Sequence, residues 1–143
     1  MAEENLQTED LAYDLRQRYA KIVGDHLEDI AYFRKLKDYP NYFNSLVDLY
    51  TIIEFKFKER KTSKSKPSLK LEVLKQLVKE FDDLENDIIK ISNNNIDTWL
   101  GKSQDTTAIA QIEGALRTIE RYLYYKMNEA NMFGSKREIE GLI

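Results

Sequence analysis

One histidine, a few close carboxylates and five glycines are all that this chain offers to catalysis, and none of them has the spacing that catalysis needs. His26 has Asp25 beside it and Asp29 three residues on, so a general base or metal ligand with a carboxylate orienter can be written from it. It also falls on the apolar stripe of a helix, where a histidine is ordinarily a hydrogen-bonded residue at the edge of a core; that is the reading the sequence favours. A carboxylate-bridged di-iron bundle needs a Glu-x-x-His pair from each of two helices, which a single histidine cannot supply. Asp83 and Asp87, one helical turn apart, have the chemistry to begin an all-oxygen magnesium site. With Asp82 and Glu85, however, they fall off the seam of Phe81, Leu84 and Ile88, and so read as a solvated face.

The glycines, at 24, 101, 114, 134 and 141, form neither GxGxxG nor GxxxxGK[ST], the loops that bring backbone amides against phosphate. No GxSxG elbow is present. Without cysteine there is no thiolate zinc site and no thiol nucleophile. The expectation is a protein that is not an enzyme and has no cofactor or catalytic metal.

Binding leaves more to read. From Lys56 to Lys70 seven basic residues face one acid, Glu59, a net +6 that leaves −9 on the rest of a chain whose total is −3. Lys58, Arg60, Lys61, Lys64 and Lys66 are the candidates for phosphate contacts, with Phe55 and Phe57 placed to stack on bases. Against this stand the acidic balance of the whole chain and the absence of a recognition-helix motif. A second candidate is Tyr122, Tyr124 and Tyr125. With Leu123 on the helix seam and about 100° between successive residues, the three rings cannot all face inward, and exposed tyrosine is favoured at protein interfaces. The third is the C-terminal segment, in which Phe133, Ile139, Leu142 and Ile143 form a short apolar peptide on a charged stem; it suits docking on its own bundle or in the groove of a second subunit.

The elements that must position these groups are helices. Leu74, Leu77, Phe81, Leu84, Ile88 and Ile91, and again Ile109, Ile112, Leu116, Ile119 and Leu123, recur at alternating three- and four-residue steps, the signature of a narrow seam that another helix covers. A first helix begins at Thr8, Glu9 and Asp10, buries Leu11, Leu15, Tyr19, Ile22, His26, Ile30 and Phe33, with Val23 and Leu27 widening the stripe, and ends near Lys37, before Pro40. Gly24 within it reads as a mark of close packing or a bend. Asn41 caps a second helix, with Phe43, Leu46, Val47, Tyr50, Ile53 and Phe57 on its inner face. Ile53, Phe55 and Phe57 also alternate as a strand does, but with no second strand to pair the segment is read as helix.

The polar stretch 61–68 is a flexible basic loop, Asn93 to Asn95 stop the third helix, and 96–100 forms a short fifth helix anchored by Trp99 and closed by Gly101. The last long helix runs from Asp105 to about Asn131, and 134–143 is a tail. The fold class is therefore all-α: a four-helix bundle, up-down-up-down favoured, in a single domain 1–143 with a disordered lead at 1–7. Apolar residues at 42% and charged residues at 33% fit a soluble globular chain.

The acidic N-terminus has neither the basic and apolar regions of a secretion signal nor a transit-peptide pattern, so the expected location is cytoplasmic, or virion-associated if phage-encoded. No stretch is apolar enough for the roughly 20 residues of a membrane span, so no membrane partner is expected. The expected function is protein–protein interaction or assembly, as a homo-oligomer or within a larger structure, in a chain of the kind that phages and mobile elements use as structural components or small inhibitors. The alternative is an accessory or regulatory factor that binds nucleic acid through Lys56–Lys70.

Overall fold

A helix over residues 21–36 (α1) and a second over Tyr39–Arg60 (α2) are separated only by Lys37 and Asp38 in the computed structural model, which describes residues 21–60 and 67–129. Lys37 has φ 57°, in the left-handed region. Its N–H donates to the Arg34 carbonyl at 3.2 Å, and the Asp38 N–H to the Phe33 carbonyl at 3.0 Å, the pair of bonds that closes a helix C-terminus on a left-handed residue. Asp38 then opens α2. Its carboxylate accepts from the Asn41 side-chain amide at 2.7 Å, and its carbonyl accepts the Tyr42 N–H at 2.9 Å. The cap is thus Asp38, not Asn41 as the sequence predicts, because Pro40 fits within the first turn, where its missing N–H has no partner to lose.

α2 remains helical to Arg60. Ile53 is fully buried while Phe55 is 56% exposed; residues two apart face opposite sides of a helix but the same side of a strand. The helix Pro67–Asn94 (α3) is followed by a single turn, Ile96–Trp99 (α4). Gly101 at φ 78° closes α4, its N–H donating to Thr98 at 3.1 Å while the Lys102 N–H donates to Asp97 at 2.7 Å. This repeats the closure at Lys37 with the residue that fits it. In the last helix, Thr106–Glu129 (α5), the Asp105 carboxylate accepts the N–H groups of Thr107 and Ala108 at 3.0 and 3.3 Å, an N-cap.

α2 and α5 run side by side in the same direction: the Tyr39 hydroxyl donates to Glu113 at 2.9 Å, and Tyr42, further along α2, donates to Glu120, further along α5. α3 runs against both. Tyr50 stacks on Phe81 with ring centres 3.8 Å apart, and the Tyr122 hydroxyl donates to the Leu77 carbonyl at 3.2 Å. α1 adds Val23, Leu27 and Ile30 to the same core, completing a four-helix bundle; no strand occurs among the described residues. Trp99 seals one end, its ring 6.4 Å from Tyr39 and 6.0 Å from Phe43.

The seams of α3 and α5 are buried largely as their spacing predicts, with Leu84 and Ile91 half-buried; at the start of α5, however, Ile109 is only half-buried and the neighbouring Ala108 takes the inner position. The inner faces of the first two helices are rotated from the predicted ones. In α1 the buried line is Val23, Leu27 and Ile30, leaving Ile22 46% exposed, and in α2 it is Tyr42, Leu46, Leu49 and Ile53. At Gly24 no atom lies within 4 Å of where a Cβ would stand, so this glycine marks no close approach. Leu11, Leu15, Tyr19, the loop lysines and the segment after Glu129 lie outside the described residues.

Two substitutions should move stability in opposite directions. Lys37→Gly removes a strained side chain at an exposed site and should stabilise by about 0.5–1 kcal/mol; Gly101→Ala introduces that strain and should destabilise by about 1 kcal/mol. Urea titrations of the two variants against the parent check both signs.

Candidate functional site

Glu120 is 2% exposed, an ionisable residue on the inner side of α5 between Leu116 and Leu123. Isolated burial of a carboxylate is strongly unfavourable, and this one is fully partnered. Arg34 on α1 and Arg117 one turn back on α5 donate to its Oε2 at 2.6 and 3.2 Å, and Tyr42 on α2 donates to its Oε1. Tyr124 lies against the same cluster, its hydroxyl pKa pushed up by burial and then by the Glu120 charge. The two arginines keep about a third of their side chains exposed, so the cluster is a tie between α1, α2 and α5 whose outer edge meets water. No oxygen of Glu120 is left over to move a substrate proton. Among the described residues, no three carboxylate or histidine side chains gather closely enough to hold a metal ion. Asp83 and Asp87 lie exposed on α3, and His26 is half-buried on α1.

The outer surface of α3 and α5 offers a different kind of site. A groove of about 620 Å³ runs between them, lined among others by Glu80, Asp83, Leu84, Thr118, Tyr122, Tyr125 and Glu129. It continues past Leu84 and Thr118 into a hollow of about 290 Å³ bounded by Asp87, Lys90, Ile91 and Ala115. Lys126 sits at the groove's head and is 7% exposed. Its Nζ is 3.3 Å from Glu129 and 3.8 Å from Glu80, and 5.6 Å from the ring centres of both Tyr122 and Tyr125. A cation between two ring faces and two carboxylates fixes all four neighbours.

The three candidate tyrosines therefore separate. Tyr124 is 6% exposed and turned toward Glu120, Tyr122 is half-buried against α3, and Tyr125 is 59% exposed. Of the other candidates, Lys58 and Arg60 stand in the last turn of α2, whereas Lys61, Lys64, Lys66, Phe133, Ile139, Leu142 and Ile143 lie outside the described residues. Glu120 and the small residues Gly114 and Thr118 are not singled out by the sequence. The available signal for Glu120 is its place four residues after Leu116 and three before Leu123, inside the buried arc, with Arg117 one turn away. No described helix is long and apolar enough to cross a membrane. No known protein family, curated protein or solved structure matches the chain, so the reading of its function rests on these residues.

Removing the shared carboxylate strands two arginines. Glu120→Gln should destabilise by about 2–4 kcal/mol, below the full cost for an enclosed pair because the arginines still reach water; Tyr42→Phe should destabilise by about 1–3 kcal/mol. Chemical denaturation gives both numbers, and the double variant should lose less than their sum.

Tyr39, Tyr42, Tyr50, Tyr122 and Tyr124 all have hydroxyl pKa values raised, first by burial and then by nearby carboxylates. Their proton-bound forms are favoured in the folded state, so the stabilisation is complete below the unfolded tyrosine value of about 10 and is lost as pH rises above it. Helical circular dichroism should hold up to about pH 10 and then fall, and the part of the tyrosinate absorbance at about 295 nm that comes from the buried hydroxyls should appear as a step coinciding with that fall.

Proposed function

We propose that the protein is a non-enzymatic helical interaction module that associates with further copies of itself through the outer face of α5 and the adjoining α3–α5 groove. The observation that carries this reading is Tyr125, 59% exposed yet held from below by the buried Lys126 ammonium. An aromatic ring already fixed in place loses little freedom on docking, which is why tyrosine serves well as an interface anchor.

Its neighbours on the helix suit a close partner. At about 100° per residue, Gln111, Gly114, Thr118 and Tyr125 fall within an arc of about 60°. Gly114 has nothing within 4 Å of its missing Cβ, so the surface beside the tyrosine is low. A two-fold axis near Thr118 sets Tyr125 of one copy over the Gln111–Gly114 stretch of the other, an arrangement that uses the same patch twice.

Sedimentation of the full chain over a range of concentrations, at low and moderate salt and with the 260/280 nm absorbance ratio recorded, tests this. Reversible association free of nucleic acid is expected. Tyr125→Ala should weaken it about tenfold or more, as loss of an interface anchor does, and Thr118→Arg should abolish it, while melting temperatures stay close to the parent's. A chain that remains monomeric at every concentration would overturn the reading. So would a monomer carrying nucleic acid that salt removes, which would direct attention to Lys56–Lys70.

A further inference from the structure

We propose that the outward face of α1 is a docking seam for a basic amphipathic helix of a partner protein. This face lies on a different helix from the α5 surface described above and does not rest on the function proposed there.

Spacing comes first. Ile22, Asp25, Asp29, Tyr32 and Leu36 follow one another at steps of three, four, three and four, the spacing of a coiled-coil seam. At about 100° per residue they fall within an arc of about 80° that extends about 21 Å along the helix. All five are exposed, with Ile22, Tyr32 and Leu36 at 46%, 58% and 55%. The core side of α1, with Val23, Leu27, Ile30 and Arg34, is centred about 150° away around the helix. α1 therefore carries a second seam on its outer side, and the 2.6 Å contact of Arg34 with Glu120 holds the helix in the rotation that presents it. Single exposed apolar residues are ordinary on a protein surface; three of them in one seam are what a second helix covers.

Charge then selects the partner. The two layers Asp25 and Asp29 are carboxylates one helical turn apart, and no basic residue falls within the arc. Among the described residues neither forms an ion pair. The flank of the stripe, Lys21, Glu28 and Lys35, carries both signs and sets no preference. Polar residues at seam positions cost stability and select what can lie opposite them. The matching helix has apolar residues toward the ends of its seam and two basic residues four apart between them, their stems lying along Ile22 and Tyr32 while the charged heads reach the carboxylates. A second copy of α1 does not meet this requirement. Laid parallel in register it sets Asp25 on Asp25 and Asp29 on Asp29, and laid antiparallel over the full stripe it sets Asp29 on Asp29, like charges that are costly face to face.

The test uses the full chain, isotope-labelled for amide NMR, and two synthetic helical peptides of about three heptads. One has the seam Leu-x-x-Arg-x-x-x-Arg-x-x-Leu-x-x-x-Leu; the other has glutamate in place of both arginines. The basic-seam peptide should shift the amide signals of residues 22–36 saturably and bind at least about tenfold more tightly than the acidic-seam peptide, with the difference shrinking as salt rises. Tyr32→Ala should weaken its binding about fivefold. Asp25→Lys with Asp29→Lys should reverse the preference and bind the acidic-seam peptide more tightly, which a misfolded variant would not do. The Thr118→Arg variant, altered on α5, should bind the basic-seam peptide as the parent does, so this outcome is separate from that of the self-association experiment.

Absence of saturable shifts, equal affinity for the two peptides, or shifts centred on α5 would overturn the proposal. So would α1 signals that move with protein concentration alone, which would put a second copy on the stripe, and so would a charge-reversed double variant that melts well below the parent, which would put residues of this chain on it.

Discussion

The Glu120 carboxylate is tolerable away from water only while Arg34, Arg117 and Tyr42 remain on it, and they come from three different helices. Apolar contacts alone would let α1 slide or turn on the α2–α5 pair with a gradual loss of burial. A buried charge does not allow this, because a small displacement leaves it without a full set of donors and the penalty is steep. Val23, Leu27 and Ile30 supply the area of the α1 contact, and Arg34 supplies its register. The same carboxylate explains why the inner line of α2 passes through Tyr42.

α5 carries a second buried charge of opposite sign. Lys126 stands six residues after Glu120, so the two side chains leave the helix on different sides, one toward α1 and α2, the other toward Tyr122 and the carboxylates of Glu80 and Glu129. Together they fix the rotation of α5 about its own axis. Once that rotation is set, Gly114, Thr118 and Tyr125 have to face outward. The internal electrostatics and the shape of the outer surface are therefore one arrangement.

The seams of α3 and α5 were legible in the sequence because each has one narrow apolar stripe between strongly polar faces, and a 3.6-residue period then leaves a single orientation open. α1 and α2 have wider apolar arcs, where Ile22 and Val23, or Phe43 and Leu46, compete for the inner side; the choice fell to Arg34 and Tyr42 reaching Glu120, a relation between residues more than seventy positions apart. The α2 cap went to Asp38 because Pro40 is as acceptable inside a first turn as before one. The single turn at 96–99 and its closure at Gly101 were readable from asparagines, a tryptophan and a glycine in sequence. The groove was not, because it lies between the outer faces of two helices, and Gly114 and Thr118 carry no hydrophobic signal.

The parallel pairing of α2 with α5 also sets an order on synthesis. A growing chain makes α1, α2 and α3 before α5, so Tyr42, Leu46 and Leu49 emerge well ahead of Leu116, Ile119 and the Glu120 carboxylate that complete their surroundings. α1 and α2 can join early through the Lys37–Asp38 closure, and Tyr50 can meet Phe81 once α3 is out. Until α5 arrives, Arg34 and the Tyr42 hydroxyl have only water to bind. The last long helix to be made is therefore the one that completes the core, and the polar notch formed by Arg34 and Tyr42 favours the single orientation of α5 that brings Glu120 to them.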